Sequence, residues 1–395
     1  MIVTVSHGTI DDGFVVVQGD RIVEVGPWHG SKPGTIDLGE VVLMPGLVNA
    51  HTHLGLSHLN REPMPGSFVD WLLSLGSRVV APGEDAAEVN RRAVRMGVIE
   101  SLRAGVTCVG DIAARSGVAW DVLATLPMRC VAFRECLGLG ANVERFRREL
   151  REAVLSRHET SRLIAGLSPH APYTVDIEGY RDCVEIARAL AMPIATHLAE
   201  HPAEAEFLRD GSGMFAEAYR ILGIDITSVP RFEGGPIRFA KTAGLLELPA
   251  VLGHVNYADD DELDLLAAGS ASVVFCPRTH AYFGHAPHRW REMLARGINM
   301  ALGTDSRASS PNLSLLEDAR LLFNAGSDSE QLLELLTAKG AKALGLHRQV
   351  GAIASGMQAD LVAFEAASIE DLLERAPQAH RVWIAGAEVN LDSPG

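Results

Sequence analysis

The 395-residue chain carries a formal charge of −15 at pH 7, which argues against nucleic acid or an anionic membrane as a partner. Apolar residues make up 47% of it, enough for a large core, yet no run approaches the roughly 18 apolar residues of a membrane span. Met1 to Val5 lacks a secretory pattern, and Cys108, Cys130, Cys136, Cys183 and Cys276 form no CxxC pair, so reduced thiols in a cytoplasm are expected.

From Val3 to Met44 the pattern is one of short strands punctuated by glycine. Phe14–Val17 and Ile22–Val25, joined through Gln18-Gly19-Asp20-Arg21, predict a hairpin. The far end is similar, with strands over 360–364 and 382–386 and a helical piece between them. The middle alternates apolar runs with amphipathic helices. The predicted strands are 47–50, 106–109, 128–133, 163–167, 192–195, 250–252, 272–275 and 299–302. A helix over Asp85–Arg103, closed by Gly105, separates the first two. Residues 221–236, rich in glycine and proline, predict a long rim loop. Such alternation implies a parallel sheet, and the strand count suits a (β/α)8 TIM barrel, although a doubly wound open sheet would alternate in much the same way. The expected organisation is an α/β chain in three parts. Residues 47–347 form the barrel, and 1–46 and 348–395 combine in a small composite β-sandwich domain.

Several of these strands end in side chains able to bind a metal or carry a proton. The first gives His51 and His53, which on an extended backbone point the same way. The fifth gives His197, with Glu200 three residues on; the sixth gives His254; the eighth gives Asp305. Each has an ordinary alternative: a hydrogen-bonded structural histidine, a helix cap for Asp305, a first-turn carboxylate for Glu200. In a parallel barrel, however, all strand C-termini open on one face, so these residues can converge. Imidazoles with a carboxylate suit one divalent ion, zinc foremost with iron as a substitute, which lowers the pKa of a bound water towards about 7. Glu200 is the nearby proton carrier.

His51-Thr52-His53, His197 with Glu200, His254 and Gly303-Thr304-Asp305-Ser306 resemble the signature of the amidohydrolase superfamily. The likeness is to its cytosine deaminase-like branch, with the adenosine, methylthioadenosine/S-adenosylhomocysteine and aminofutalosine deaminases and the triazine chlorohydrolases. It covers essentially the whole chain, and residues 351–361 are similar to the family's composite sandwich. Ser168-Pro169-His170-Ala171-Pro172-Tyr173-Thr174 resembles the strand-4 motif of its nucleoside-type deaminases. The resemblance implies that His51, His53, His197 and Asp305 bind the metal. It also implies that Glu200 shuttles a proton to the ring nitrogen, that His254 orients the water or polarises the substrate, and that Asp305 relays the water's proton to departing ammonia. The binuclear branches use a carboxylated lysine on the fourth strand; residues 163–170 contain no lysine, so a mononuclear site is expected.

Substrate contacts are expected from His170, Arg278, His280 and Trp71. Arg278 offers a partner for a substrate carboxylate, or an ordinary ion pair with an acidic neighbour. Trp71, with Phe68, offers a stacking surface or a core contact. His280, His285 and His288 crowd one loop, expected to be solvated or to touch substrate. Thr279-His280 departs from the family's usual Ser-Asn. The run 309–314 is closer to aminofutalosine deaminases than to methylthioadenosine deaminases. The expected activity is hydrolytic deamination of a small heterocycle, an adenine-bearing nucleoside foremost; the alternatives are hydrolysis of another C–N or a carbon–halogen bond, or a non-catalytic binding barrel. A homo-oligomer is left open. Competing signatures such as P-C-x-x-C, G-x-S-x-G, G-x-x-x-x-G-K and H-E-x-x-H are absent.

Overall fold

A computed structural model describes residues 1–30, 34–114 and 116–391. Its middle is built on eight strands: β1 (Leu47–Thr52), β2 (Val106–Ala113), β3 (Arg129–Cys136), β4 (Leu163–Pro169), β5 (Ala195–Leu198), β6 (Val251–His254), β7 (Ser272–Phe275) and β8 (Asn299–Leu302). They form two four-stranded sheets in chain order, β1–β4 and β5–β8. Every neighbouring pair is parallel. Isolated parallel bridges, Leu167 to Ile194 and Thr52 to Asp305, connect the sheets at both edges. The chain is thus an α/β protein with helices between parallel strands.

Both faces of these strands are buried, as parallel sheets require. Val48, Ala50, Cys108, Val131, Phe133, Ala195, Val251, Val274 and Ala301 pack together in one cluster. Their sequence neighbours, such as Leu47, Val109, Ala132, Leu252 and Val273, pack with Val94, Val98 and Leu102 of the helix Ala86–Arg103. Each valine, leucine or phenylalanine among them contributes about 1.5–3 kcal/mol of burial. Asp85 caps that helix by accepting from the Ala87 and Glu88 amides. Gly105 ends it at φ +80°, where a Cβ would lie 2.4 Å from the Phe364 ring, so no other residue fits.

Strand bounds differ from expectation for two reasons. β1, β2, β3, β4 and β6 continue past their apolar runs, so His51, Glu135 and His254 are ladder residues rather than loop residues. β5 starts late because Pro193 lacks an N–H, and Ile194 makes only an isolated bridge to Leu167. The loop over 222–234 lies, as expected, between the helices Gly213–Ile221 and Gly235–Thr242.

Both ends of the chain share one six-stranded sheet. Its order is 387–388, 381–384, 361–364, 42–45, 2–3 and 9–10. The predicted hairpin forms between Gly13–Gln18 and Arg21–Pro27. Arg129, at the start of β3, ties this sheet to the middle: its guanidinium donates to Asp360 at 2.9 and 3.2 Å and to Gln358 at 3.3 Å, all three side chains buried. All five cysteines are free and buried. Among the described residues no helix is long and apolar enough to cross a membrane.

Candidate metal centre

The sequence places His51 in the ladder and His53 just past it, and backbone bonds fix both. The Thr304 and Asp305 amides donate to the His51 carbonyl at 3.2 and 3.1 Å, and the Thr52 hydroxyl donates to the Asp305 carbonyl at 3.0 Å. Asp305 adopts φ +55°, a left-handed conformation that aspartate tolerates. The Ser309 hydroxyl donates to its Oδ2 at 2.7 Å, leaving Oδ1 for the histidines. Oδ1 lies 3.4 Å from His53 Nε2 and 4.0 Å from His51 Nε2. His53 Nε2 and His197 Nε2 are 3.2 Å apart.

Proton placement follows from the neighbours. His197 Nδ1 lies 3.0 Å from the His170 carbonyl, which can only accept, so Nδ1 carries the hydrogen and Nε2 a lone pair. Burial drives the imidazoles towards the neutral form: His53 and His197 fall to about 3 and His51 well below its usual value. Both His51 nitrogens are buried without a hydrogen-bond partner. Imidazole nitrogens of three histidines thus gather about one carboxylate oxygen, and His51 finds no partner for either nitrogen within the protein. A tetrahedral ion with bonds of about 2.0–2.1 Å sets its ligand atoms about 3.4 Å apart. The separations of 3.2 to 4.0 Å fit such an ion, and His51, His53, His197 and Asp305 could hold it.

Glu200 and His254 stand beside this group. Glu200 Oε1 is 3.5 Å from His254 Nε2, and the nitrogens of His51, His197 and His254 lie within 4.8 Å of one another. Burial, reinforced by the Asp305 and Glu204 charges, holds the Glu200 carboxyl well above the usual range. Asp305 is raised as well, chiefly by burial and against the Ser309 bond. The turn carrying Glu200 is set by Glu204, whose carboxyl accepts from the Ala199, Glu200 and His201 amides at 3.0, 2.6 and 3.1 Å. His254 adopts φ +70°, and its carbonyl accepts from His288 Nε2 at 2.9 Å.

The expected substrate contacts separate. His170 is brought to the centre, its ring 4.9 Å from that of His197. Arg278 corrects the expectation of a carboxylate anchor. Its side chain donates to Asp318 at 2.9 and 2.8 Å, to Asn312 Oδ1 at 2.7 Å, and to the Asn312 and Ser314 carbonyls at 2.9 Å each. Every nitrogen of that fork is engaged within the protein. His280 is not brought to the cluster either; its Nε2 bonds the Ala286 carbonyl at 2.9 Å and ties the loop to itself. Trp71 lies in an apolar cluster with Leu59 and Ala308, its ring 4.9 Å from Phe283.

Sequence reasoning passed over Asp111, Glu135 and Glu204. Asp111 accepts from the Leu54 amide at 2.8 Å and so holds the turn after His53; burial raises it to about 7. Glu135 is the most informative omission. Val131 and Phe133 both belong to the inner cluster, so the strand period of two sends Glu135 inward as well. That alternation was the available signal.

The Amidohydrolase family profile matches residues 42–389. A 5-methylthioadenosine/S-adenosylhomocysteine deaminase of Moorella thermoacetica is 28% identical over 381 residues, spanning 91% of this chain and 83% of that protein. The structure superposes on aminofutalosine deaminase of Helicobacter pylori, in complex with methylthio-coformycin, with a TM-score of 0.84 at 23% identity, covering 98% of each chain. It superposes on a zinc-bound adenosine deaminase from Xanthomonas campestris with a TM-score of 0.79 at 24% identity, covering 98% of this chain and 90% of that one. Strands, ligand-bearing ends and sequence profile agree: this chain belongs to the Amidohydrolase family.

Proposed function

We propose that the protein is a metal-dependent hydrolytic deaminase of an amino-substituted heterocycle, an adenine-bearing nucleoside foremost. The eight strands close into one (β/α)8 barrel over 47–347, and 1–46 joins 348–395 in a β-sandwich. Zinc is the preferred ion, held by His51, His53, His197 and Asp305. The observation that carries this reading is the group of imidazole nitrogens gathered about Asp305 Oδ1, with both His51 nitrogens orphaned. Similarity to deaminases supports the substrate class.

When bound, the ion supplies the Lewis acidity that ionises water near neutral pH. Asp305 takes the proton the water gives up. Glu200, kept protonated by burial, donates to the ring nitrogen beside the attacked carbon. His254, 3.5 Å from Glu200, orients the reacting groups. As the carbon–oxygen bond forms and the carbon–nitrogen bond breaks, Asp305 passes its proton to the amino group, which leaves as ammonia, and the new hydroxyl returns its remaining proton to Glu200 as it becomes the product carbonyl.

The test is ammonia release by zinc-loaded protein from a panel of aminopurine nucleosides, pterins and pyrimidines. Release from at least one member is expected. No turnover across the panel refutes the reading, and chloride release or ring opening without ammonia selects hydrolysis of another bond.

A further inference from the structure

Glu135 presents an acceptor to which none of the described residues donates. Its side chain is 11% exposed at the end of β3, and among the described residues no hydrogen bond reaches its carboxylate. Its neighbour is His170 Nε2, 3.8 Å away, beyond hydrogen-bonding distance. The state of that nitrogen can be read from Thr174. The Thr174 hydroxyl gives its one hydrogen to the Ala171 carbonyl at 3.1 Å, so it accepts from His170 Nδ1 at 2.7 Å. His170 Nε2 is therefore a lone pair, 19% of its side chain open. Two acceptors converge at one spot, each needing a donor from outside.

This pair is no second metal centre. Ligand atoms of Glu135, His170 and His197 lie within 4.8 Å of one another. Yet His197 spends Nδ1 on the His170 carbonyl and turns Nε2 towards His53, so only two ligands remain. Its place in the strand order gives it another task. Glu135 and His170 lie at the ends of β3 and β4, to one side of His197, whereas Glu200 and His254 follow or end β5 and β6. On the deaminase reading, a heterocycle reacting between Glu200 and Asp305 would turn its far edge to this side.

We propose that Glu135 and His170 form a substrate-recognition pair that takes two hydrogen-bond donors from a neutral ligand and turns away an anionic substituent. The donors are either the vicinal hydroxyls of a ribose or an amino substituent on the ring. This rests on the deaminase reading above. The experiment uses zinc-loaded Glu200→Gln protein, so that binding is measured without turnover. Calorimetry with adenosine, 2′,3′-dideoxyadenosine and the dideoxyriboside of 2,6-diaminopurine separates the two sources. If the hydroxyls are read, adenosine binds about 10- to 100-fold tighter than its dideoxy analogue, as expected for a pair of hydrogen bonds to buried acceptors. If the ring amino group is read, the diaminopurine compound shows that advantage. Adding Glu135→Gln collapses whichever ratio is found to about 1, and Glu135→Asp, which retracts the carboxylate, gives an intermediate value. A purely structural role lowers all affinities together and leaves the ratio standing. Ratios near 1 in the Glu200→Gln parent, or a ratio that survives Glu135→Gln, overturn the proposal. Binding of none of the three compounds overturns it together with the aminopurine reading, a different result from binding without discrimination.

Discussion

Replacing Arg278 with methionine separates a structural arginine from a substrate anchor. In the folded protein its guanidinium and Asp318 are 8% and 0% exposed, paired at 2.8 Å, with Asn312 and Ser314 taking the remaining donors. Burial pushes the Asp318 carboxyl up, and the adjoining guanidinium pulls it back. Arg278→Met leaves that carboxyl buried without a counter-charge, at a cost of about 3–5 kcal/mol. With an unfolding entropy of about 2.1 cal/mol/K per residue over 395 residues, 4 kcal/mol lowers the midpoint by about 5 °C. Calorimetric unfolding of the metal-loaded variant measures the fall. KM for a carboxylated and an uncharged substrate should each stay within about twofold of wild type. Adding Asp318→Leu should recover most of the lost stability, because an apolar pair replaces an ion pair at little cost. An unchanged midpoint with KM raised tenfold for the carboxylated substrate alone would refute the assignment and restore Arg278 to the pocket.

Three further outcomes are expected. Glu200→Gln keeps its metal by elemental analysis while kcat falls about 10²- to 10⁴-fold, the usual loss for a positioned proton carrier; unchanged turnover removes Glu200 from the mechanism. Chelation abolishes activity and lowers the unfolding midpoint, and zinc restores both, since an ion bound only by the folded state stabilises it; His53→Ala should show a lower midpoint that zinc does not raise. Glu204 makes stability depend on pH. Burial raises its carboxyl from 4.5 to about 7, so between those values the folded chain holds a proton that the unfolded chain has lost. Stability attributable to this group is therefore full below about pH 4.5 and falls as pH rises through 7, by about 3 kcal/mol at 1.36 kcal/mol per unit. Denaturant titrations of wild type and Glu204→Gln across that range should diverge accordingly; parallel curves would count against a protonated Glu204.

How much was legible in the sequence depended on whether a residue's role was local. His51, His53, His197, His254 and Asp305 follow apolar runs, and strand ends in a parallel α/β chain share a face, so their convergence could be read from spacing. Arg278 could not be placed this way. It also follows a strand, but its partner Asp318 lies forty residues on, and nothing in the pattern showed that the pair would be buried. His280 misled for a related reason, because the loop turns back and gives it Ala286 as a partner. Glu135 was hidden by a strand drawn too short. Ending the third strand at Phe133 made the carboxylate a loop residue, whereas the ladder runs on to Cys136 and the alternation carries Glu135 inward.

The shared terminal sheet has a consequence for how the molecule is made. Residues 42–45 lie between 2–3 and 361–364, and Arg129 finds its counter-ion only at Asp360. During synthesis the early segment waits, with an open strand edge and a buried-to-be cation, until residues 360–364 have left the ribosome. Nicks or premature stops that remove residues 360–364 therefore strike the anchorage of residues 42–45, far from any ligand-binding side chain.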